Sequence, residues 1–154
     1  MSTNSTIAIK NDDGTFTSIY CHWDGYVSHN GSILLEHYRD VAKINELMQL
    51  GDLSSLGAEI GEKHPFTNPY AYGSPSYREF DEQYKNTCTA YGRDREENDM
   101  VSENWTDAKE WLSEVGEEYN YLFDGDNWFV SEGETDEAGF PIFTLLETEL
   151  LMIA

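Results

Sequence analysis

The side chains best suited to chemistry in the N-terminal half fall in one run, S-I-Y-C-H-W-D-G-Y at positions 18–26. It sets the thiol of Cys21, the imidazole of His22 and the carboxylate of Asp24 within four positions. These are the groups of a nucleophile, its base and an orienting acid, provided that thiol and imidazole reach hydrogen-bonding distance. The run is rich in β-branched and aromatic residues, which predicts a strand over Phe16–Trp23. Neighbours in a strand point to opposite faces. Ile19, Cys21 and Trp23 are then expected on an inner face and Tyr20 with His22 on the outer one. That separates Cys21 from His22 and makes Cys21 a small buried hydrophobe beside Trp23. His22, Asp24 and Tyr26 remain as an alternative pocket for a small-ligand- or metal-dependent enzyme. They would serve only if the Tyr-rich stretch at 70–91 closes over them.

Other reactive patterns are weaker. His22, His29, His37 and His64 with Cys21 and Cys88 supply enough donor atoms for zinc, but in no C-x₂-C, H-x₃-H or H-E-x-x-H spacing. The run D-G-D-N at 124–127 begins like a calcium loop. Phe129 and Thr135 stand where that loop needs Gly and Glu, so a hairpin turn is the better reading. There is no Gly-rich phosphate loop and no G-x-S-x-G elbow. No metal, no cofactor and no catalytic residue is expected.

Charge is the dominating feature. The 154 residues carry a formal −21. Residues 93–154 hold 18 Asp/Glu against Arg93, Arg95 and Lys109. This argues against direct nucleic-acid binding, because contacts to phosphate need cations. A basic protein partner is favoured. General salt adaptation would spread the acids more evenly. Aromatic residues make up 14% of the chain, too many for a disordered acidic tail. No apolar run reaches the ~18 residues of a membrane span. The start, M-S-T-N-S-T, lacks the basic and apolar regions of a signal peptide. Two cysteines make no disulfide framework, so a cytoplasmic setting is expected.

The elements that would position these groups read as one α+β domain over residues 1–154. A hairpin is predicted from Thr6–Lys10 and Phe16–Trp23, with the N-D-D-G turn between them. Ser32–Tyr38 adds a third strand after Asn30-Gly31, completing an N-terminal meander. A helix follows over Val41–Leu50, with Asp40 as N-cap and Gly51 at its end. S-x-x-E at 76–79 suggests a short helix near Tyr77–Tyr84, Thr87–Tyr91 a strand, and Gly92–Glu103 a surface loop. Thr106 can cap a helix over Asp107–Val115. Tyr119–Phe123 and Trp128–Ser131 form a C-terminal hairpin. Phe140–Phe143 reads as an edge strand, and Leu145–Met152 as a helix for which strand alternation fits almost as well. The fold expected is a mainly antiparallel sheet packed by two or three helices.

The acidic residues are the main candidate interface. Asp107, Glu110, Glu114 and Glu117 or Glu118 recur at spacings of three and four, so they share a helical face opposite Trp111. Successive carboxylates lie about 5 Å apart along such a helix, sparser than the ~3.4 Å phosphate spacing of one DNA strand. Asp94, Glu96, Glu97, Asp99 and Glu103 before the helix would thicken this face. So would Glu132, Glu134, Asp136 and Glu137 after it.

The run at 18–26 is preceded by T-I-A-I and followed by L-G-D-L-S-S-L-G at 50–57. Y-G-R-D-R at 91–95 and E-Y-N-Y-L-F at 118–123 come later. In these blocks, to about residue 131, the chain resembles a group of small acidic phage and prophage proteins. The resemblance implies an accessory protein made in the cytoplasm of an infected bacterium. It carries over no catalytic residue. Small acidic phage proteins often inhibit host enzymes that handle nucleic acid, some as DNA mimics. The expectation is therefore a non-enzymatic protein that binds and inhibits or redirects a basic host protein, in host takeover or counter-defence. An acidic virion or scaffolding component is a third possibility.

Overall fold

The computed structural model describes residues 2–153. Strands β1 (Ser5–Lys10) and β2 (Phe16–Cys21) pair antiparallel from Ser5↔Cys21 to Lys10↔Phe16. Their turn is held by Asp13, whose carboxylate accepts from both the N–H and the hydroxyl of Thr15. The same contacts hold the Asp13 carboxyl below the ordinary carboxylate range.

The expected third strand does not form. Val27–Gly31 is a π-helical turn and Ser32–His37 is helix α1. A helix lets Ile33, Leu34, Leu35 and Tyr38 all reach one core, which strand alternation forbids. Asn30, read as a turn residue, is instead buried and donates to Ser5 Oγ and to the Trp23 carbonyl, both at 3.3 Å.

Helix α2 (Val41–Leu50) begins at Asp40, whose carboxylate accepts from the Ala42 N–H at 3.0 Å. It ends at Gly51, where φ is +82° and a side chain would collide with the Met100 carbonyl. Then come β3 (Leu53–Ser55), α3 (Pro75–Tyr84), β4 (Thr89–Ala90), α4 (Tyr91–Arg95) and β5 (Glu103–Trp105). The chain closes with α5 (Ala108–Val115), β6 (Tyr119–Phe123), β7 (Trp128–Ser131), β8 (Thr144–Leu145) and α6 (Leu146–Ile153).

The sheet runs β4-β3-β2-β1-β6-β7-β8, and β5 shares the outer edge of β2 with β3. It is mixed rather than mainly antiparallel. β1 pairs parallel with β6, and β2 parallel with β3. The reason is long-range: β6 returns beside β1 from over a hundred residues away and runs in the same direction, which joins the two hairpins into one sheet. The described residues hold six helices and eight strands, not two or three helices around two antiparallel units.

Alternation along the strands makes two cores. Ile7, Ile9, Ile19, Cys21, Tyr121, Phe123 and Val130 face α1, α2 and α6. Ala8, Phe16 and Leu122 face α5, whose Trp111 is fully buried. Helices thus cover both faces of the sheet.

Several local expectations shift. β2 ends at Cys21, and Trp23 leaves the inner face to stand 43% exposed. The chain turns there because the Trp23 N–H bonds to the Ser54 carbonyl and Asp24 adopts φ +56°. α3 is capped by Ser74, with Pro75 opening the helix, rather than by Ser76. α5 is capped by Asp107, not Thr106. The stretch at 92–103, expected as a loop, contains most of α4 and the start of β5. Phe140–Phe143 forms no strand; Pro141 makes an isolated antiparallel bridge to Thr135 in the preceding loop. Asp124 accepts from the N–H groups of Asp126 and Asn127 at 2.9 and 2.8 Å, which makes D-G-D-N a hairpin turn.

Candidate functional site

The S-I-Y-C-H-W-D-G-Y run acts as a packing and hydrogen-bonding joint. Cys21 is fully buried, and burial pushes its thiol up to about 12. Tyr20 and His22 do share a face, with the hydroxyl 2.7 Å from His22 Nδ1. Gly25 donates to the Thr3 carbonyl and accepts the Tyr121 hydroxyl at 2.6 Å. Tyr26 lies against His29 instead, with ring centroids 5.9 Å apart. His22, Asp24 and Tyr26 therefore converge on no common contact.

The three N-terminal and central blocks of the sequence meet at one end of the sheet. The His22 and Trp23 N–H groups bond to the carbonyls of Leu53 and Ser54, each at 3.0 Å. The Tyr91 N–H bonds to the Asp52 carbonyl, and Leu53 pairs with Ala90. Two concave surfaces flank this junction.

The first is a cleft of about 230 Å³ beside β2 and the end of α5. Asp52, Glu103, Glu114 and Glu117 line it together with Thr6, Ser18 and Tyr20, and no Lys or Arg does. Asp52 is positioned by the Tyr20 N–H, which it accepts at 2.9 Å. Burial raises its carboxyl, partly offset by that N–H, and the Glu103 charge adds to the rise. Burial and the Glu118 charge likewise raise Glu117. Tyr20 is pushed up to about 12 by burial and then by the Glu117 charge. The cleft thus concentrates negative charge that lacks a counter-ion of its own.

From the cleft, α5 continues the charge outward. Asp107, Glu110 and Glu114 are exposed while Trp111 stacks on Phe16 and Phe143, with centroids 6.2 and 5.9 Å away. Glu132, Glu134, Asp136 and Glu137 form an exposed loop that meets the start of α5. The contact is Lys109, whose Nζ lies 5.2 Å from the centre of the Phe140 ring. Lys109 is the sole Lys or Arg between Glu96 and the C-terminus. Glu118 is exposed beyond the helix end.

Asp94, Glu96 and Glu97 are taken up by local partners. Asp94 is buried and accepts from Arg93 Nε at 3.0 Å and from the N–H groups of His64 and Ala90 at 3.1 and 2.8 Å. Glu96 pairs with Lys63 at 3.1 Å and Glu97 with Arg95. Asp99 is exposed. Asp94 looks like a surface acid in a polar stretch. α4 turns it inward, and Arg93 bonds beside it to the carbonyls of Ile60, Gly61 and Cys88.

The second concavity is an aromatic pocket of about 540 Å³ between α3 and the β3–β4 end of the sheet. Tyr77, Phe80 and Tyr84 supply one wall, at the i, i+3, i+7 spacing of a helical face. Trp23 and Phe66 also line it, with Ser54, His64 and Thr89. His64 is buried and stacks on Tyr84 at 4.7 Å. Its Nδ1 lies 3.0 Å from the Glu62 carbonyl and its Nε2 3.1 Å from Thr89 Oγ1. A carbonyl only accepts, so in the neutral ring Nδ1 carries the hydrogen and Thr89 donates to Nε2. The side chain is 2% exposed, so the pair pins residues 61–66 to β4 behind the pocket wall.

Asp52 and Thr89 are missed by reading the sequence for sites, and His64, read there only as a possible zinc donor, instead bonds to Thr89 behind the pocket. The i, i+3, i+7 aromatic spacing of α3 was the one signal available. Among the described residues no group of three or more His, Cys, Asp or Glu is arranged to hold a metal ion. No helix among the described residues is long and apolar enough to cross a membrane. No protein-family model, curated protein or solved structure matches the chain.

Proposed function

We propose that this protein acts by binding a basic protein. A Lys or Arg side chain of the partner enters the cleft of Asp52, Glu103, Glu114 and Glu117, and the outward face of α5 surrounds the contact. The observation that carries this reading is the cleft itself: four carboxylates, two of them raised by burial and by neighbouring acids, with no Lys or Arg among its lining residues. A cation placed there offsets repulsion already built into the fold. The exposed acids of α5 and of 132–137 add long-range attraction, so association should be fast and salt-sensitive.

In the setting implied by the resemblance to small acidic phage proteins, the partner is a host protein that handles nucleic acid or serves in defence. The α5 acids would then compete with phosphates for its basic surface. The test is affinity capture from host cells with the wild type and with a variant carrying D52N, E103Q, E114Q and E117Q. The reading expects a basic protein captured by the wild type, released by added salt and lost in the variant. Equal capture by both proteins, or capture insensitive to salt, overturns it.

A further inference from the structure

We infer that the aromatic pocket between α3 and the β3–β4 end of the sheet binds a flat heteroaromatic ring of the nucleobase class. This goes beyond the basic-partner reading and uses a different surface. α3 is the starting point: it runs ten residues and buries none of them. Its Tyr77, Phe80 and Tyr84 face the pocket with only partial burial. Helices in globular domains are normally held by a buried apolar stripe. Here the stripe lines about 540 Å³ of open space, within the size range of small-molecule sites. Trp23, displaced from the inner face of β2, also lines it.

The chemistry of the walls selects the ligand. Aromatic rings favour stacked or edge-on contact with another flat ring. Hydrogen-bonding groups stand among them. Thr89 gives its hydrogen to His64 in the neutral-ring arrangement, which leaves its lone pairs as acceptors. One oxygen of Asp81 accepts from Asn68 at 3.2 Å, and its carboxylate retains capacity for the N–H groups of a base edge. An aliphatic ligand would leave these groups unused. Lys85 also lines the pocket, paired with Glu82 at 2.7 Å, so an organic cation is the competing ligand that the test includes. Residues 60–95 hold five acids and five Lys/Arg, so this part of an otherwise strongly acidic chain is electrically balanced.

The experiment is calorimetric titration of the intact protein with adenosine, guanosine, cytidine and uridine, with ribose and tetramethylammonium as controls. Amide shifts are mapped by NMR in parallel. The proposal expects saturable binding of at least one nucleoside, none of ribose, and shifts confined to residues around Ser54, Thr67, Phe80 and Thr89. Phe80→Ala and Trp23→Ala should each weaken binding at least tenfold. Neither residue is fully buried, so both variants should fold, and the wild-type shift map stands without them. Absence of binding by all four nucleosides, binding of tetramethylammonium alone, or shifts mapping elsewhere overturns it. So does retention of affinity within twofold in both variants. The cleft variant D52N/E103Q/E114Q/E117Q should bind nucleoside as the wild type does, which separates this proposal from the basic-partner reading.

Discussion

Asp94 accepts the backbone N–H of His64 at 3.1 Å across thirty positions of chain, and Arg93 closes on the same carboxylate. The pair locks the segment before the Tyr-rich stretch onto β4, and so builds the back wall of the aromatic pocket. Burial would raise the Asp94 carboxyl. The Arg93 guanidinium and the N–H groups of Ala90 and His64 outweigh it and hold the carboxyl below its ordinary range.

Asp94→Ala should therefore be costly. It leaves Arg93 without its partner and the N–H groups of His64 and Ala90 unmatched, a loss of about 3–5 kcal/mol for a broken buried pair. The sign with pH follows from the lowered folded pKa. The stabilisation is fully present above the unfolded carboxyl value of about 4 and fades as pH falls through the folded value. Urea unfolding of wild type and variant at pH 7 and in acid should show the difference shrinking in acid.

Asp52 should behave in the opposite way. Its folded pKa is raised, so the charged form weakens the native state, and stability is lost as pH rises through the folded value. Asp52→Asn retains an oxygen to accept the Tyr20 N–H while removing the charge. Thermal melts should show the variant gaining over the wild type at pH 7 and losing that gain near pH 3.

Trp111 holds the whole acidic helix to the sheet. Trp111→Ala should cost about 3–5 kcal/mol, the range for emptying a large aromatic site. Its indole Nε1 has no hydrogen-bond partner among the described residues. Trp111→Phe removes that unmatched donor along with part of the ring, and should cost clearly less. Denaturant midpoints of the two variants, compared with the wild type, measure the difference.

Gly25 sits where a Cβ would lie 2.8 Å from Ser5 Cβ and 2.9 Å from the Thr3 carbonyl. Gly25→Ala must push β1 away from the Asp24 turn, at about 1–3 kcal/mol for overpacking. A drop in melting temperature with unchanged circular dichroism at low temperature is the expected result.

Cys21 and Cys88 are both buried, with thiols raised by burial, Cys21 to about 12. Neither should react with iodoacetamide at pH 8 in the native protein, and both should react in urea. Mass spectrometry of the two reactions checks this.

Local signals were readable wherever one short stretch decided its own shape. The two hairpins, α2 with its Asp40 cap and Gly51 end, and the Trp111 stripe of α5 all follow from turn residues, caps and period. The separation of Cys21 from His22 follows from strand alternation alone. Ser32–Tyr38 is a short apolar run that fits strand and helix alike, and only the position of the core chooses helix.

The amino-acid sequence by itself determined the charge and its bias toward residues 93–154, the alternation that buries Cys21, and the helical spacing of the α5 acids. These are properties of composition and of neighbours within a few positions. Only the tertiary structure decided the parallel pairing of β1 with β6, the inward turn of Asp94, and the entry of Asp52 into the cleft beside Glu103, Glu114 and Glu117. It also decided that Tyr77, Phe80 and Tyr84 face a pocket rather than a core. Each of these depends on contacts between segments far apart in the chain, and no local periodicity encodes which segment arrives.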